Sequence, residues 1–232
     1  MIWAPSRAAA AAFSMSIAFF DLDGTLIDAD SNLLFFDHLL EHGYIGPDFL
    51  APLAAFSEQY FSARLRIEDF IVYAVGPVAG MARAERERLV MECTEQRLLP
   101  ALKPGAQRTL EHHRARGDLT VIVSATADYL VLPAARRLGI THALASPLRY
   151  DAAGVLLPEV CGICPYQEGK ARRILQFVQE RQLTLEGSHA YGDSLNDVQM
   201  LRLCEHGFAV DASRSFREAE CYGEFTPLNW RS

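Results

Sequence analysis

The sequence predicts an α/β fold in which a parallel sheet lies between layers of helices and a helical segment is inserted after the first strand. Two observations carry that reading. The apolar runs Ile17–Phe20, Leu119–Val123 and His189–Tyr191 each end in polar residues, as buried strands do when they deliver side chains to one edge of a sheet. About a hundred residues separate Asp21, after the first run, from Ser124, after the second, far more than a crossover helix needs.

Residues 1–14 are Ala-rich, carry a single positive charge at Arg7 and lack a sustained Leu-type core, so they read as a disordered extension ahead of Met15 and not as a signal peptide. The first strand then ends in two carboxylates one residue apart, Asp21 and Asp23, with Gly24 free to turn the chain over a ligand. Adjacent carboxylates repel. A divalent cation relieves the repulsion, and Mg²⁺ in particular takes one or two carboxylates together with phosphate oxygens, leaving a carboxylate to attack phosphorus. An EF-hand loop is excluded, because counting from Asp21 or Asp28 puts Leu26 or Leu33 at the glycine position and Asn32 or Leu39 at the final glutamate.

From about Ser31 to Leu99 the pattern is helical: Leu33, Phe36, Leu39 and Leu40 recur at helical spacing, as do Phe49, Leu53, Phe56 and Tyr60, with breaks at Pro47, Gly76-Pro77 and Pro100. The expected division is a core of residues 15–30 and 100–232 with an insertion of residues 31–99. After the second strand, the Ser124-Ala125-Thr126 hydroxyls can meet a phosphate oxygen. Leu148–Tyr150 and Val155–Leu157 flank Asp151–Gly154 as a small hairpin. Lys170 opens a segment with Ala171, Ile174, Leu175, Phe177 and Val178 at helical spacing, which puts an ammonium near a helix start, a natural place for an anion. Asp193 and Asp197 then stand four residues apart at a strand-to-helix junction and suit a metal. Taken singly, Ser124 reads equally as a helix cap, Lys170 as a solvated charge and Asp193–Asp197 as a turn. Their order, with three of the four groups directly after strands, points to one phosphate site.

These motifs, Asp21-Leu22-Asp23-Gly24-Thr25, Ser124, Lys170 and Gly192-Asp193-Ser194-Leu195-Asn196-Asp197, resemble those of the haloacid dehalogenase superfamily of phosphotransferases over Ser16 to about Val210. The resemblance implies a Rossmann-like three-layer α/β/α core with an inserted helical cap of the C1 type. It implies Asp21 as the nucleophile that forms an aspartyl-phosphate and Asp23 as general acid and then base. Ser124 and Lys170 would hold the phosphoryl group. Asp21, the carbonyl of Asp23, Asp193 and Asp197 would form or support a Mg²⁺ site, with Asn196 near the phosphate. Dehalogenases of this superfamily lack the second aspartate, so the chemistry implied is phosphoryl transfer.

The insertion resembles the cap of the phosphoserine-phosphatase-like branch, subfamily IB, which includes some bacterial histidinol-phosphatases. Asp30 lies nine residues after Asp21, where phosphoserine phosphatases carry a glutamate that contacts the substrate amine. Ala125 and Thr126 stand in place of two glycines of those enzymes, and Gly24 in place of their serine. Asp30, Ala125, Thr126 and Asn196 are therefore the candidate substrate contacts. Arg64 and Arg66 are the cap cations that could meet a substrate carboxylate.

Composition agrees with a soluble cytoplasmic enzyme acting on a small-molecule phosphomonoester. The net charge of −7, without basic clusters, argues against nucleic acid or a membrane surface as partner, and no apolar run is long enough to cross a bilayer. Five cysteines in 232 residues form no disulfide framework, and Cys161-Gly-Ile-Cys164 lacks the second pair of a zinc site. The seven histidines show no metal spacing anchored on these motifs and read as surface or packing residues. Oligomeric state is not encoded in these patterns. Three activities fit the motifs: a Mg²⁺-dependent phosphatase, with an amino-bearing substrate such as phosphoserine or histidinol phosphate among its candidates; a phosphotransferase or phosphomutase using the same intermediate; and a non-catalytic phosphate binder. The complete set of catalytic residues speaks against the last.

Overall fold

The computed structural model of the protein describes residues 16–61 and 64–232, so the expected extension at residues 1–14 lies outside the described residues. In chain order the elements are β1 (Ile17–Phe20), α1 (Ser31–Glu41), α2 (Leu53–Phe61), α3 (Ile67–Val75), α4 (Arg83–Cys93), α5 (Pro104–Arg116), β2 (Leu119–Ala127), α6 (Asp128–Arg137) and β3 (His142–Ser146). They continue as β4 (Leu148–Tyr150), β5 (Leu156–Val160), α7 (Glu168–Glu180), β6 (His189–Gly192), α8 (Val198–Leu203), β7 (His206–Val210), α9 (Arg214–Arg217) and β8 (Thr226–Leu228). Six strands form one parallel sheet in the order β3-β2-β1-β6-β7-β8, and β4 pairs with β5 as the expected hairpin.

The sheet is buried on both faces because its central strand is apolar throughout. Ala18 and Phe20 point into one layer with Leu110 of α5 and Val131 and Ala134 of α6, while Ile17 and Phe19 point into the other with Ile174 and Phe177 of α7 and Leu201 of α8. This three-layer arrangement is the α/β fold expected from the strand pattern. Register then does the positioning. Phe20 lies beside Ile122 of β2 and Tyr191 of β6, so the next residues of the three strands, Asp21, Val123-Ser124 and Gly192-Asp193, emerge at one edge.

Between β1 and α5 the chain forms α1 to α4, and their apolar faces share a cluster: Phe35 and Leu39 of α1, Ile71 and Val75 of α3, Leu89 and Val90 of α4. The cluster continues into Tyr129 and Leu130 of α6 and Leu148 and Leu156 of the hairpin, so the helices are seated on the sheet layer by buried apolar contact. Among the described residues no helix is long and apolar enough to cross a membrane.

Beyond Val210 the chain adds β8 to the sheet edge and buries Trp230 against Tyr191, ring centroids 5.3 Å apart. Gly105 lies under that indole, where a Cβ would come within 2.4 Å of the Trp230 ring, and its N–H donates to the Trp230 carbonyl at 2.9 Å. Trp230→Ala is expected to cost about 3–5 kcal/mol of stability by leaving a cavity in this layer, measured by urea unfolding. A change below about 1 kcal/mol would show that the C-terminal strand is not part of the cooperative core.

Candidate active site

Asp21 is held at the end of β1 by its own N–H, which donates to the Tyr191 carbonyl at 2.9 Å and so extends the β1–β6 ladder. Its carboxylate is buried and accepts a bond of 2.6 Å from Lys170 Nζ through Oδ1. Lys170, in the first turn of α7, reaches equally to Asp197 Oδ1 at 2.5 Å. The other oxygen of Asp197 accepts from Asp193 N at 3.1 Å, Ser194 N at 3.0 Å and Ser194 Oγ at 3.0 Å. Asp197 thus closes a capping box over the loop that carries Asp193 and at the same time fixes the ammonium. Gly192 makes this packing possible, since a Cβ there would lie 2.4 Å from the Asp197 Cβ.

Asp193 faces Asp21 from the opposite side. Thr25 Oγ1 donates to its Oδ1 at 3.2 Å, and Gly24, with φ +78°, lets the first motif pass directly beneath it: a Cβ on Gly24 would stand 2.6 Å from Asp193 Oδ2. The loop is braced from behind by Lys103, buried, whose Nζ donates to the Gly24 carbonyl and, at 3.0 Å, to Asp211 Oδ2. No sequence signal points to this brace, because Lys103 and Asp211 are over a hundred residues apart and neither adjoins a motif.

Asp23 is gripped from two sides. Ser31 N, at the start of α1, donates to Oδ1 at 2.7 Å, and Thr126 Oγ1 donates to Oδ2 at 2.9 Å. Thr126 also contacts Ser31 Oγ and Asn32 Nδ2, each at 3.1 Å. Thr126 is among the residues bordering the cleft, but its hydroxyl is committed to Asp23, so it orients that carboxyl and has no hydroxyl bond left to give a substrate. Ser124 Oγ accepts from Thr126 N at 3.1 Å, which leaves the hydroxyl proton for an incoming oxygen. Ala125 borders the cleft, and its carbonyl accepts from Ser146 Oγ at 2.6 Å. Asp30 caps α1 through a bond from Leu33 N at 3.0 Å and borders the same cleft.

Comparison with known proteins agrees with this arrangement. Residues 18–202 match the haloacid dehalogenase-like hydrolases. The chain belongs to that family. It is similar to a histidinol-phosphatase of Neisseria meningitidis serogroup C, 28% identical over 200 residues that make up 84% of this chain and 90% of that one. Among solved structures it is similar to a protein of unknown function from Bordetella pertussis Tohama I, with a TM-score of 0.83 and 28% identity over 93% of this chain and 99% of that one. A substrate-bound phosphoserine phosphatase shares the fold, at a TM-score of 0.64 and 18% identity over 94% of this chain and 93% of that one.

As in an enzyme of this family, the motifs sit at the floor of a cleft, here of about 560 Å³, between the sheet edge and the inserted helices. The roof is apolar and aromatic: Leu33, Leu53, Phe56, Tyr60, Leu65, Ile67 and Phe70, with Tyr166 from the core side. Asn196 Nδ2 donates to Tyr60 Oη, joining core to cap across the opening. Neither of the two cap arginines that could meet a substrate carboxylate lines the cleft, in keeping with the solvated face on which arginine usually lies. Both Arg64 and Arg66 are exposed on the cap surface and ion-paired, with Glu58 at 3.9 Å and with Asp69 at 3.7 Å. All five cysteines are free thiols, and Cys164 packs in the cap cluster.

Four carboxylates therefore crowd one edge of the sheet, and only two of them, Asp21 and Asp197, are bonded by the buried Lys170 ammonium. Burial pushes Asp21 up to about 6 although Lys170 pulls it down. Burial, with Asp30 and Asp21 adding repulsion, takes Asp23 to about 7. Burial, with Asp197 and Asp21, takes Asp193 to about 8. Burial opposes the charge on Lys170, yet Asp197 and Asp21 raise its pKa. Oxygen atoms of Asp21, Asp193 and Asp197 lie within 4.8 Å of one another, an all-oxygen donor set with uncompensated negative charge that fits Mg²⁺.

These carboxyls titrate higher in the folded chain than the ordinary carboxylate value, so their protonated forms stabilise the fold at low pH and that contribution is lost as pH rises through about 6 to about 8. In chelator, the melting temperature is expected to fall over that interval, while the increase produced by added Mg²⁺ grows across it. A Mg²⁺ shift of the same size at both ends would contradict the crowded-carboxylate site. Thr126→Val is expected to lower kcat by about 10-fold with KM little changed, the loss of a bond to a charged group. A rise in KM alone would restore Thr126 as a substrate contact.

Proposed function

We propose that this chain is a Mg²⁺-dependent phosphatase that hydrolyses a small, amine-bearing phosphomonoester through an aspartyl-phosphate on Asp21. The observation that carries the reading is the pairing at the sheet edge of one carboxyl held by an ammonium with a second, Asp23, held only by an amide and a hydroxyl. The two groups suit different tasks. Lys170 orients Asp21 and favours its ionised, nucleophilic form, whereas Asp23, near 7, can carry a proton at neutral pH.

In the first half-reaction an Asp21 oxygen attacks phosphorus, the bond from phosphorus to the substrate alcohol oxygen breaks, and Asp23 gives that oxygen its proton. Lys170 and the Ser124 hydroxyl meet the equatorial oxygens where negative charge accumulates. In the second, Asp23, now a carboxylate, takes a proton from the water that attacks the same phosphorus, releasing phosphate and regenerating Asp21. Mg²⁺, held by Asp21, Asp193 and the Asp23 carbonyl with Asp197 in support, would neutralise phosphoryl charge. Asn196 lies beside the phosphate end of the cleft, and Tyr60, bonded to it, would keep the cap over the reaction.

Substrate preference follows from what the cleft contains. Among the described residues that line it, Lys170 is the one cation, whereas Asp28 and Asp30 line its outer part. Asp28 is already paired with Arg231, so a substrate carboxylate would find no free cation and would face Asp30, while an amine would meet Asp30 beneath an aromatic roof that also accepts cations. That supports an amino alcohol phosphate with an apolar or aromatic body, of which histidinol phosphate is one, over phosphoserine. Five unpaired thiols suit the reducing cytoplasm.

Two measurements test the proposal. Asp21→Asn should lower turnover by more than about 10³-fold with the fold intact, and rapid quench of the wild type should trap phosphate on Asp21 by mass spectrometry. Unchanged turnover in that variant removes the nucleophile. With Mg²⁺, kcat/KM for histidinol phosphate should exceed that for phosphoserine by at least about 10-fold, and EDTA should abolish both activities. The opposite order would overturn the amine preference, and phosphate passing to an added alcohol in place of water would identify a transferase.

A further inference from the structure

The geometry points to a second metal site, on the cap and separate from the catalytic cleft, formed by His38 and His42 of α1 with Glu92 of α4 and suited to Zn²⁺ or a similar borderline transition-metal ion. His38 and His42 are one helical turn apart, so their rings lie on the same side of α1, with centroids 4.3 Å apart. Glu92 comes from the neighbouring helix, and one potential ligand atom from each of the three residues lies within 4.8 Å of the others. His38 Nε2 and Glu92 Oε2 are 3.8 Å apart, too far for a hydrogen bond and close to the separation of about 3.4 Å between two ligand atoms sharing a tetrahedral Zn²⁺.

The independent sign of a ligand is His38 itself. It is 0% exposed, and among the described residues neither of its ring nitrogens has a hydrogen-bond partner. A buried imidazole without a partner carries a desolvation cost that ordinary packing does not return, and coordination would return it. Burial, with His42 and Arg97 close by, holds the His38 pKa below its usual value and so keeps the ring in the neutral form that a metal needs.

The surrounding bonds suit ligation as well. His42 Nδ1 is 2.8 Å from the His38 carbonyl, a bond that makes Nδ1 the protonated nitrogen and leaves the Nε2 lone pair available. Arg88 Nη1 donates to both Glu92 oxygens at 2.8 Å, which fixes the carboxylate while each oxygen keeps a second lone pair. Arg97, the other cation close by, is paired with Glu41. His42 is exposed, so the site is open to solvent and a water can complete three protein ligands.

Such an ion would tie the C-terminal end of α1 to α4. The opposite end of α1 holds Asp23 through Ser31 N, so the helix joins the site directly to the catalytic acid. The two sites differ in chemistry: nitrogen donors select zinc over magnesium here, whereas the cleft offers carboxylates.

The test uses the full chain in saturating Mg²⁺, which occupies the catalytic carboxylates, titrated with Zn²⁺ by calorimetry and with Co²⁺ by visible absorption. One Zn²⁺ per chain is expected, with a rise in melting temperature and an intense tetrahedral Co²⁺ band. Because His38 is buried and replacing it risks the cap's fold, the two more accessible ligands are varied: His42→Ala and, separately, Glu92→Gln should weaken Zn²⁺ more than about 100-fold and remove the Co²⁺ band, with the metal-free melting temperature nearly unchanged. No Zn²⁺ uptake by the wild type, or equal uptake by His42→Ala through the cysteines or the cleft, would overturn the site.

Discussion

The structure depends on the accommodation of negative charge at one edge of a parallel sheet. Asp21, Asp23, Asp193 and Asp197 are carried there by β1, β6 and the loops that follow them, and a single buried ammonium stands among them. Such a cluster is costly in a low-dielectric site, and most of the local architecture reads as its compensation. Lys170 is shared between Asp21 and Asp197, Asp197 is spent on backbone amides and a hydroxyl, and Asp193 takes a bond from Thr25. The charge that remains suits a cation, and on the proposed reading the repulsion that burdens the fold alone would become affinity for one.

Two glycines set how tightly this can be built. Gly24 and Gly192 lie where any side chain would strike Asp193 or Asp197, so the carboxylates approach the backbone more closely than other residues would allow. Behind them, Lys103 bridges the Gly24 carbonyl and Asp211, and Asp211 also accepts from Trp230 N at 3.2 Å. The last strand of the sheet is thereby connected to the catalytic loop through two hydrogen-bonded steps. The cap reaches the same centre from the other direction, since α1 begins with the amide that holds Asp23. The sheet edge thus carries the charged groups, while the roof that the cap lays over them is aromatic and apolar.

Much of this was legible in the sequence. The apolar runs ending in carboxylates, Ser124 after a β-branched strand, Lys170 at a helix start and the Asp193–Asp197 spacing are local signals, because strand, turn and helix-start chemistry is written within a few residues. The hairpin at Leu148–Tyr150 was visible for the same reason. What could not be read is the pairing of residues distant in the chain. Thr126 looked like a substrate contact because it adjoins Ser124, and only folding shows that its hydroxyl belongs to Asp23, which lies 103 residues away. Arg64 and Arg66 could be read either as solvated charges, the commoner role, or as substrate contacts, and the fold leaves both exposed and ion-paired between α2 and α3. The cluster of His38, His42 and Glu92 was not legible because Glu92 comes from another helix, at least fifty residues farther along the chain.

The sequence by itself determined the sheet, the order of its chemical groups and the reaction class, since each rests on contiguous patterns with one physical interpretation. Tertiary structure decided which oxygen is held by which donor, how far the carboxylates are pushed from their ordinary acidity, and what the cleft can recognise. Those properties depend on distances and burial, and a linear chain specifies them only once its register and helix packing have brought remote side chains within reach of each other.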